Sequence, residues 1–343
     1  MSWERIIPER PVVAVAGATG AVGRELLNVL AQRGFPASEV RALASARSVG
    51  KEVPLGDEVL TVAEMIPEAF EGVDIAIFAA GAERSIIMRE AVAAAGAVMI
   101  DNSSAFRMEE GVPLIVPEVN PEAIRDHSGV IANPNCSTIQ LVVALKPLAD
   151  LAPIKRVVTS TYQAASGAGA EAMRELYDQS REFLDGEDLT VEAFAHRIAF
   201  NCIPQIDVFL DDLSTKEEWK MVVETKKIMG APDMEVTATC VRVPVLRCHS
   251  ESVNVEFASP VSLDDARHAL ASAPGLVVMD DPASKMYPMP AFLEGTDDTY
   301  VGRLRVDASV ENGLAMWVVA DQIRKGAALN SVQIAELLLP NRP

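Results

Sequence analysis

The feature that most narrows what this chain can fold into is Gly17-Ala18-Thr19-Gly20-Ala21-Val22-Gly23, wedged between two apolar stretches. Before it, residues 12–16 read as a short, fully apolar strand. After it, residues 22–32 read as a helix with Leu26, Leu27, Val29 and Leu30 on one side. A strand that turns directly into a helix needs residues without Cβ at the turn, and the helix start then presents unpaired N–H groups. The alternation continues with apolar strands at 40–44, 75–78, 98–100 and 130–132 and a helix at 84–95. Near-continuous apolar strands separated by helices predict a parallel sheet covered on both faces. Beyond Lys155 the texture changes. Residues 157–162, 236–243, 253–257 and 299–306 alternate apolar and polar positions, as in a sheet with one wetted face. The tail after Asp321 turns helical again and carries an apolar stripe of Val332, Ile334, Ala335 and Leu338.

The 343 residues suit two domains rather than one. The expected division is residues 1–132 with 321–343, a discontinuous parallel-sheet domain, and residues 133–320, an α+β domain. Lys and Arg number 30 against 49 Asp and Glu, a net charge of −19. So acidic a surface repels phosphodiester backbones and anionic lipid, so no nucleic-acid or membrane partner is expected. Four cysteines in a chain this long are no disulfide framework and suit a reducing compartment. The first ten residues carry charges and a proline where a signal peptide needs an apolar run. A cytoplasmic protein is expected.

A turn of this kind binds a dinucleotide pyrophosphate at the helix start, although its GxxGxxG spacing differs from the commoner GxGxxG. A fold selecting NAD places Asp or Glu after the second strand for the ribose hydroxyls. The corresponding segment, residues 43–51, holds no acid. Arg47 and Ser48 there fit a 2′-phosphate and point to NADP, the other reading of Arg47 being a solvated loop cation. A second motif is Asn133-Pro134-Asn135-Cys136-Ser137-Thr138, followed by an apolar run. Proline stops the strand, so Cys136 falls at a helix start, where N–H groups stabilise a thiolate and can hold an oxyanion. Cys136 is the candidate nucleophile. Its proton carrier must come from four histidines. His249, read as lying in a loop between Arg247, Cys248 and the next strand, has surroundings suited to an anion site, whereas His127, His196 and His268 read as solvated or capping. The segment Thr161–Gly169 after a strand could line a cofactor or substrate, or be an ordinary strand-to-helix turn. Residues 216–220 read as the first turn of a helix with a solvated charged face. No CxxC or HxxxH pair exists, so no metal is expected.

In their order these motifs resemble the aspartate-β-semialdehyde dehydrogenase family along nearly the whole chain. GATGAVG, SARSVGK, DNSSAFR, VPEVN, NPNCST, QAASGAG, FNCIPQID, EEWKMV, RVPV, CHSES and SVQIAE carry the likeness. The semialdehyde dehydrogenase of arginine biosynthesis, an N-acetyl-glutamyl-phosphate reductase, shares the architecture and is the alternative. A redox-inactive dinucleotide-binding protein is the rival outside enzymes.

The resemblance implies a Rossmann-type parallel-sheet domain plus an α+β catalytic and dimerisation domain, assembled as a homodimer or homotetramer. It implies NADP-dependent reductive dephosphorylation of L-4-aspartyl phosphate to L-aspartate 4-semialdehyde, on the route to lysine, diaminopimelate, threonine and methionine. Cys136 matches the thioester-forming nucleophile and His249 the general acid/base, and Gln163 matches the residue that orients the intermediate. Arg242 matches the binder of the substrate carboxylate and Glu217 that of its amino group. Arg107 and Lys220 match phosphate binders, and Asn135 assists beside the nucleophile. Gly17, Thr19, Gly20, Ala21, Val22, Gly23, Arg47, Ser48, Ser166, Gly167 and Gln322 match cofactor contacts.

Overall fold

The computed structural model describes residues 6–340. Residues 1–5 of the charged N-terminal stretch and residues 341–343 of the tail lie outside the described residues. The chain divides into two compact units. One runs to Asn135 and resumes at Ala327; the other spans Cys136–Gly326.

The first unit is built on strands β1 (Val12–Ala16), β2 (Glu39–Ala44), β3 (Glu52–Leu55), β4 (Glu58–Thr61), β5 (Ala63–Glu64), β6 (Ile75–Phe78), β7 (Val98–Asp101) and β8 (Val130–Ala132). Six of them form one parallel sheet in the order β5-β2-β1-β6-β7-β8, while β3 and β4 make a separate hairpin. Strand order reverses between β1 and β6, so the crevice beyond their carboxyl ends is the switch point where such sheets bind ligands. Helix α1 (Ala21–Gln32) starts there, directly after the glycine-rich turn, and α2 (Ala82–Ala94) follows β6. Leu26, Leu27, Val29 and Leu30 of α1 are buried against Val13 and Val15 of β1. The C-terminal helix Leu329–Leu337 adds Val332, Ile334 and Ala335 to the same core.

The second unit carries β9 (Ile154–Gln163), β10 (Glu235–Arg242), β11 (His249–Phe257), β12 (Leu276–Val278), β13 (Thr299–Asp307) and β14 (Gly313–Ala320). Its order is β10-β9-β11-β14-β13-β12, mixed in direction, with parallel pairs only at the two edges. Helices α3 (Cys136–Ala149), α5 (Lys216–Ile228) and α6 (Leu263–Ser272) pack into this unit, while α4 (Ala170–Asp185) follows the turn after β9. Along β11 the residues His249, Glu251, Val253, Val255 and Phe257 are buried, with Ser252, Asn254 and Glu256 partly exposed between them. That alternation is the one-wetted-face pattern the sequence predicts.

Two expectations need correction. His249 does not lie in a loop; it opens β11, fully buried, paired with Ala320 of β14. Residues 216–220 do open a helix, but not with a solvated charged face. Thr215 and Glu218 close a reciprocal capping box there, and Glu217 is turned inward to 5% exposure. The sequence reading also lacked β14, whose unbroken apolar run shows no alternation because both of its faces are covered. Among the described residues, no helix is long and apolar enough to cross a membrane.

Candidate active site

In the first unit the turn after β1 is fixed by sterics. Gly17 has φ +92°, and a Cβ there would lie 2.5 Å from the Ala79 carbonyl oxygen. At Gly23 a Cβ would lie 2.1 Å from the Gly17 carbonyl oxygen, so the first turn of α1 closes onto the loop only with glycine at both places. Gly17 N–H and Ala18 N–H both donate to the Leu43 carbonyl at the end of β2. Beyond β2, Ala46–Ser48 forms a short 3-10 turn with Ser48 buried and Arg47 exposed, and the Ser48 hydroxyl lies 3.5 Å from that of Thr19. Thr19, Gly20, Ala21, Val22, Arg47 and Ser48 thus surround one end of the sheet. Deletion of Cβ atoms, unpaired helix-start amides and the absence of an acid after β2 suit a dinucleotide phosphate there. Also in this unit, Arg107 is buried, its Nε donating to the Asn133 carbonyl and Nη2 to that of Asn102. Asn135, likewise buried, is the unit's last residue before Cys136.

The second unit holds the titrating groups. Cys136 is the first residue of α3 and half-buried, so its sulfur stands where helix amides lack intrahelical acceptors. His249 accepts a hydrogen bond at Nδ1 from the Ala164 N–H (3.0 Å), while the Ala164 carbonyl accepts from Arg242 Nη1 (2.7 Å). One residue, Ala164, therefore ties the imidazole to the guanidinium through its two backbone groups. With Nδ1 an acceptor, the ring proton resides on Nε2, which has no hydrogen-bond partner. Burial first, and the Arg242 charge second, hold His249 well below the ordinary imidazole range, so it is neutral. Burial also lowers the proton affinity of Arg242, against which Cys136 and Glu217 act. Cys136 and His249 are thus both electrostatic neighbours of Arg242.

Around this pair the other expected residues gather. Gln163, at the end of β9, donates from Nε2 to Glu217 Oε1 and to Thr161 Oγ1 (both 3.2 Å). Glu217 Oε2 accepts from Lys220 (3.1 Å), and Lys220 also meets Asp207 (2.8 Å). Burial opposes the Lys220 charge, but Glu217 and Asp207 outweigh it and raise its proton affinity. Gly167 lies over the imidazole; a Cβ there would come within 3.0 Å of His249 Cε1 and 2.7 Å of Arg242 Nη1. Gln322 spends both ends of its amide inside the protein, Oε1 accepting from Cys248 N–H (2.8 Å) and Nε2 donating to Ser166 Oγ. Cys136, His249, Gln163, Arg242, Glu217, Lys220, Ser166, Gly167 and Gln322 all belong to this unit, whereas Arg107, Asn135 and the turn residues belong to the other.

Several residues at the site were given no role by the sequence. Cys248 takes φ +72° directly before His249, a strained conformation of the kind that clusters at functional sites. Its thiol is pushed up to about 12 by burial and by Asp321. Gly326 lies in a π-helical turn, Arg324–Ala328, and a Cβ there would sit 2.9 Å from Cys136 Cβ. Asp207 and Thr161 bind the lysine and the glutamine named above. A π-turn leading into a helix is the only one of these with a general signature, and it is visible only in coordinates. Among the described residues no group of three His, Cys, Asp or Glu could hold a metal.

A family model for the semialdehyde dehydrogenase NAD binding domain matches residues 12–127, and one for the semialdehyde dehydrogenase dimerisation domain matches residues 145–325. An aspartate-semialdehyde dehydrogenase of Aquifex aeolicus is 53% identical over 95% of this chain and 97% of its own length. The chain belongs to the aspartate-semialdehyde dehydrogenase family. Aspartate semialdehyde dehydrogenase II of Vibrio cholerae, in a crystal structure described as complexed with ASA, superposes with TM-score 0.92 at 45% identity, covering 97% of this chain and 99% of that one. The Candida albicans enzyme, solved with NADP, gives TM-score 0.75 at 27% identity over 96% and 98% of the two chains. These relatives fit neither the acetylglutamyl-type alternative nor an inactive binding protein. The family's nucleotide-binding model covers the glycine-rich turn, and its dimerisation model covers Gln163, Glu217, Arg242 and His249. Cys136 falls between the two matched ranges.

Proposed function

We propose that this chain is an NADP-dependent aspartate-semialdehyde dehydrogenase, reducing L-4-aspartyl phosphate to L-aspartate 4-semialdehyde through a thioester on Cys136. What supports it is a helix-start thiol and a buried imidazole whose Nε2 has no hydrogen-bond partner, each an electrostatic neighbour of Arg242. The Cys136 thiolate attacks the acyl carbon, forming a C–S bond as the carbonyl π pair moves to oxygen. Collapse of that oxyanion breaks the C–O bond to phosphate, which takes a proton from solvent to depart as the hydrogen phosphate dianion, and leaves the thioester. Amides at the start of α3 and His249 Nε2–H are the donors that stabilise the oxyanion. NADPH, when bound, supplies the hydride. Reduction makes a second oxyanion at the same oxygen, facing the same donors, and its collapse returns a thiolate with no proton needed on sulfur. The expected proton shuttle would require an imidazolium, which means giving up the Ala164 bond beside a cation in a dry site. His249 instead acts by holding its proton at Nε2.

Arg242 suits the substrate α-carboxylate, Glu217 its ammonium and Gln163 the orientation of the acyl group. Lys220 and Arg107 are the phosphate cations. Lys220 reaches phosphate as part of an ion triad with Glu217 and Asp207, which favours an arriving anion less than an unpaired lysine does. Arg47 and Ser48 favour NADP over NAD, as does the NADP carried by the Candida albicans relative. Asn135 assists beside the nucleophile. The dimerisation model supports a homodimer, with a homotetramer as the larger assembly, and the thiol chemistry suits a reducing cytoplasm.

The test is phosphate-dependent reduction of NADP with aspartate semialdehyde, compared with acetylglutamyl semialdehyde. Turnover with aspartate semialdehyde, absent without phosphate, is expected. Preference for the acetylated substrate, or indifference to phosphate, refutes the reading.

A further inference from the structure

The mechanism leaves one buried acid unused. Glu251 lies two residues along β11 from His249 on the same inward face, fully buried. One carboxyl oxygen, Oε2, accepts from Thr159 Oγ1 (3.4 Å), and the other has no partner. Gln140 of α3, also fully buried, approaches this carboxyl, yet neither end of its amide makes an aligned hydrogen bond. Gln140 is four residues from Cys136, on the same face of α3 one turn further in. Two residues of strand advance about 6.6 Å and four residues of helix about 6 Å. Glu251 therefore stands one step behind His249 along β11, and Gln140 one turn behind Cys136 along α3.

The neighbours extend the layer. Glu251 is opposite Thr161 on β9, which is itself opposite Cys240 on β10. Thr161 receives Gln163, so the layer is bonded to the catalytic row in front of it. Burial, opposed only by Gln140 and Thr159, pushes the Glu251 carboxyl well above its ordinary range, and Cys240 is likewise pushed up by burial. Burial thus disfavours charge on both acidic groups of the layer. Buried polar atoms without partners are costly, and apolar residues of the same size would pack this position better.

We propose that Glu251 and Gln140 form a buried polar rung that holds α3 against β11 and so sets the position of Cys136 relative to His249. Glu251 is a positioning residue: it touches neither substrate nor cofactor. A carboxylic acid and a carboxamide offer the same donor-and-acceptor pair, so the rung depends on hydrogen-bonding shape and not on charge.

The inference rests on the thiol mechanism proposed above, and the experiment separates the two. Full-length parent, Glu251→Gln and Glu251→Leu are compared for kcat and KM in the phosphate-dependent assay and for the rate of Cys136 alkylation by iodoacetamide at pH 7. Thermal melting verifies folding. Glu251→Leu is expected to lose about 30- to 100-fold in kcat with KM within about threefold, and to alkylate about tenfold more slowly. Glu251→Gln is expected to restore both to within about threefold of the parent. Parental kcat and alkylation in Glu251→Leu overturn the proposal, and so does a Glu251→Gln enzyme as impaired as the leucine variant. Should Glu251→Leu not fold, Gln140→Met reads the rung from the helix side, and parental kcat in it overturns the proposal equally. Retention of activity by parent enzyme fully alkylated at Cys136 would instead sink the thiol mechanism.

Discussion

The glycine-rich turn of the first unit and the thiol–imidazole cluster of the second differ in how much chain each one needs. The turn is complete within Gly17–Gly23 and the backbone it folds over, at Leu43 and Ala79. The cluster draws Cys136 from α3, Gln163 and Ala164 from the end of β9, Glu217 from α5, Arg242 from β10, His249 from β11 and Gly326 from a π-helical turn. A site made of one loop fails where a side chain blocks its backbone. A site made of six segments can be detuned from places that never meet the substrate.

The largest effect expected is Cys136→Ala, which should lower turnover by about 10⁴-fold or more while NADPH affinity stays within about twofold. Fluorescence titration of NADPH on that variant checks the comparison directly, and loss of cofactor binding would mean the two regions are not separable. Next is Gly326→Ala. Its methyl would fall 2.9 Å from Cys136 Cβ, and a displaced nucleophile should cost about 10²-fold in kcat. An unchanged kcat would show that the π-turn yields, and that the cluster is less tightly built than its geometry implies. Arg47→Ala acts on the other region and should weaken NADPH about tenfold with NADH affinity unchanged, the worth of one charge-assisted contact to phosphate. Equal affinity of the parent for both cofactors would remove the 2′-phosphate argument.

The smallest effect is a pH dependence of stability. The folded-state pKa of Glu251 is raised, so its contribution is fully present below the ordinary carboxyl range and is lost as pH rises. His249, with a lowered pKa, has the opposite sign, being lost as pH falls below the ordinary imidazole range, but it is common to parent and variant. The melting temperature of Glu251→Gln minus that of the parent should therefore climb by about 2 °C or more between pH 5 and pH 8. A flat difference would mean that Glu251 ionises inside the fold.

The strand-turn-helix of the first unit was legible because its signals are local: an apolar run, three glycines and a 3.6-residue stripe. Cys136 at a helix start was legible for the same reason, since Pro134 interrupts the strand and an apolar run follows. His249 and Glu217 were misread in their surroundings. Cys248-His249-Ser250-Glu251-Ser252 has the polarity of a loop and becomes buried strand only because β9 and β14 pair with it on either side. Glu217-Glu218-Trp219-Lys220 has the polarity of a solvated face. Glu217 turns inward because Gln163 and Lys220 satisfy its two oxygens.

By itself, then, the sequence determined the parallel-sheet unit, the turn suited to a dinucleotide and the nucleophile at the mouth of a helix. Each follows from steric and periodic rules acting over a few neighbouring residues. Tertiary structure alone decided the burial of His249, the ion triad at Lys220, the Gly326 contact on Cys136 and the buried polar layer of Glu251 and Gln140. Those depend on burial and on distances between residues far apart in the chain, and a buried charge answers to whatever the fold has set beside it.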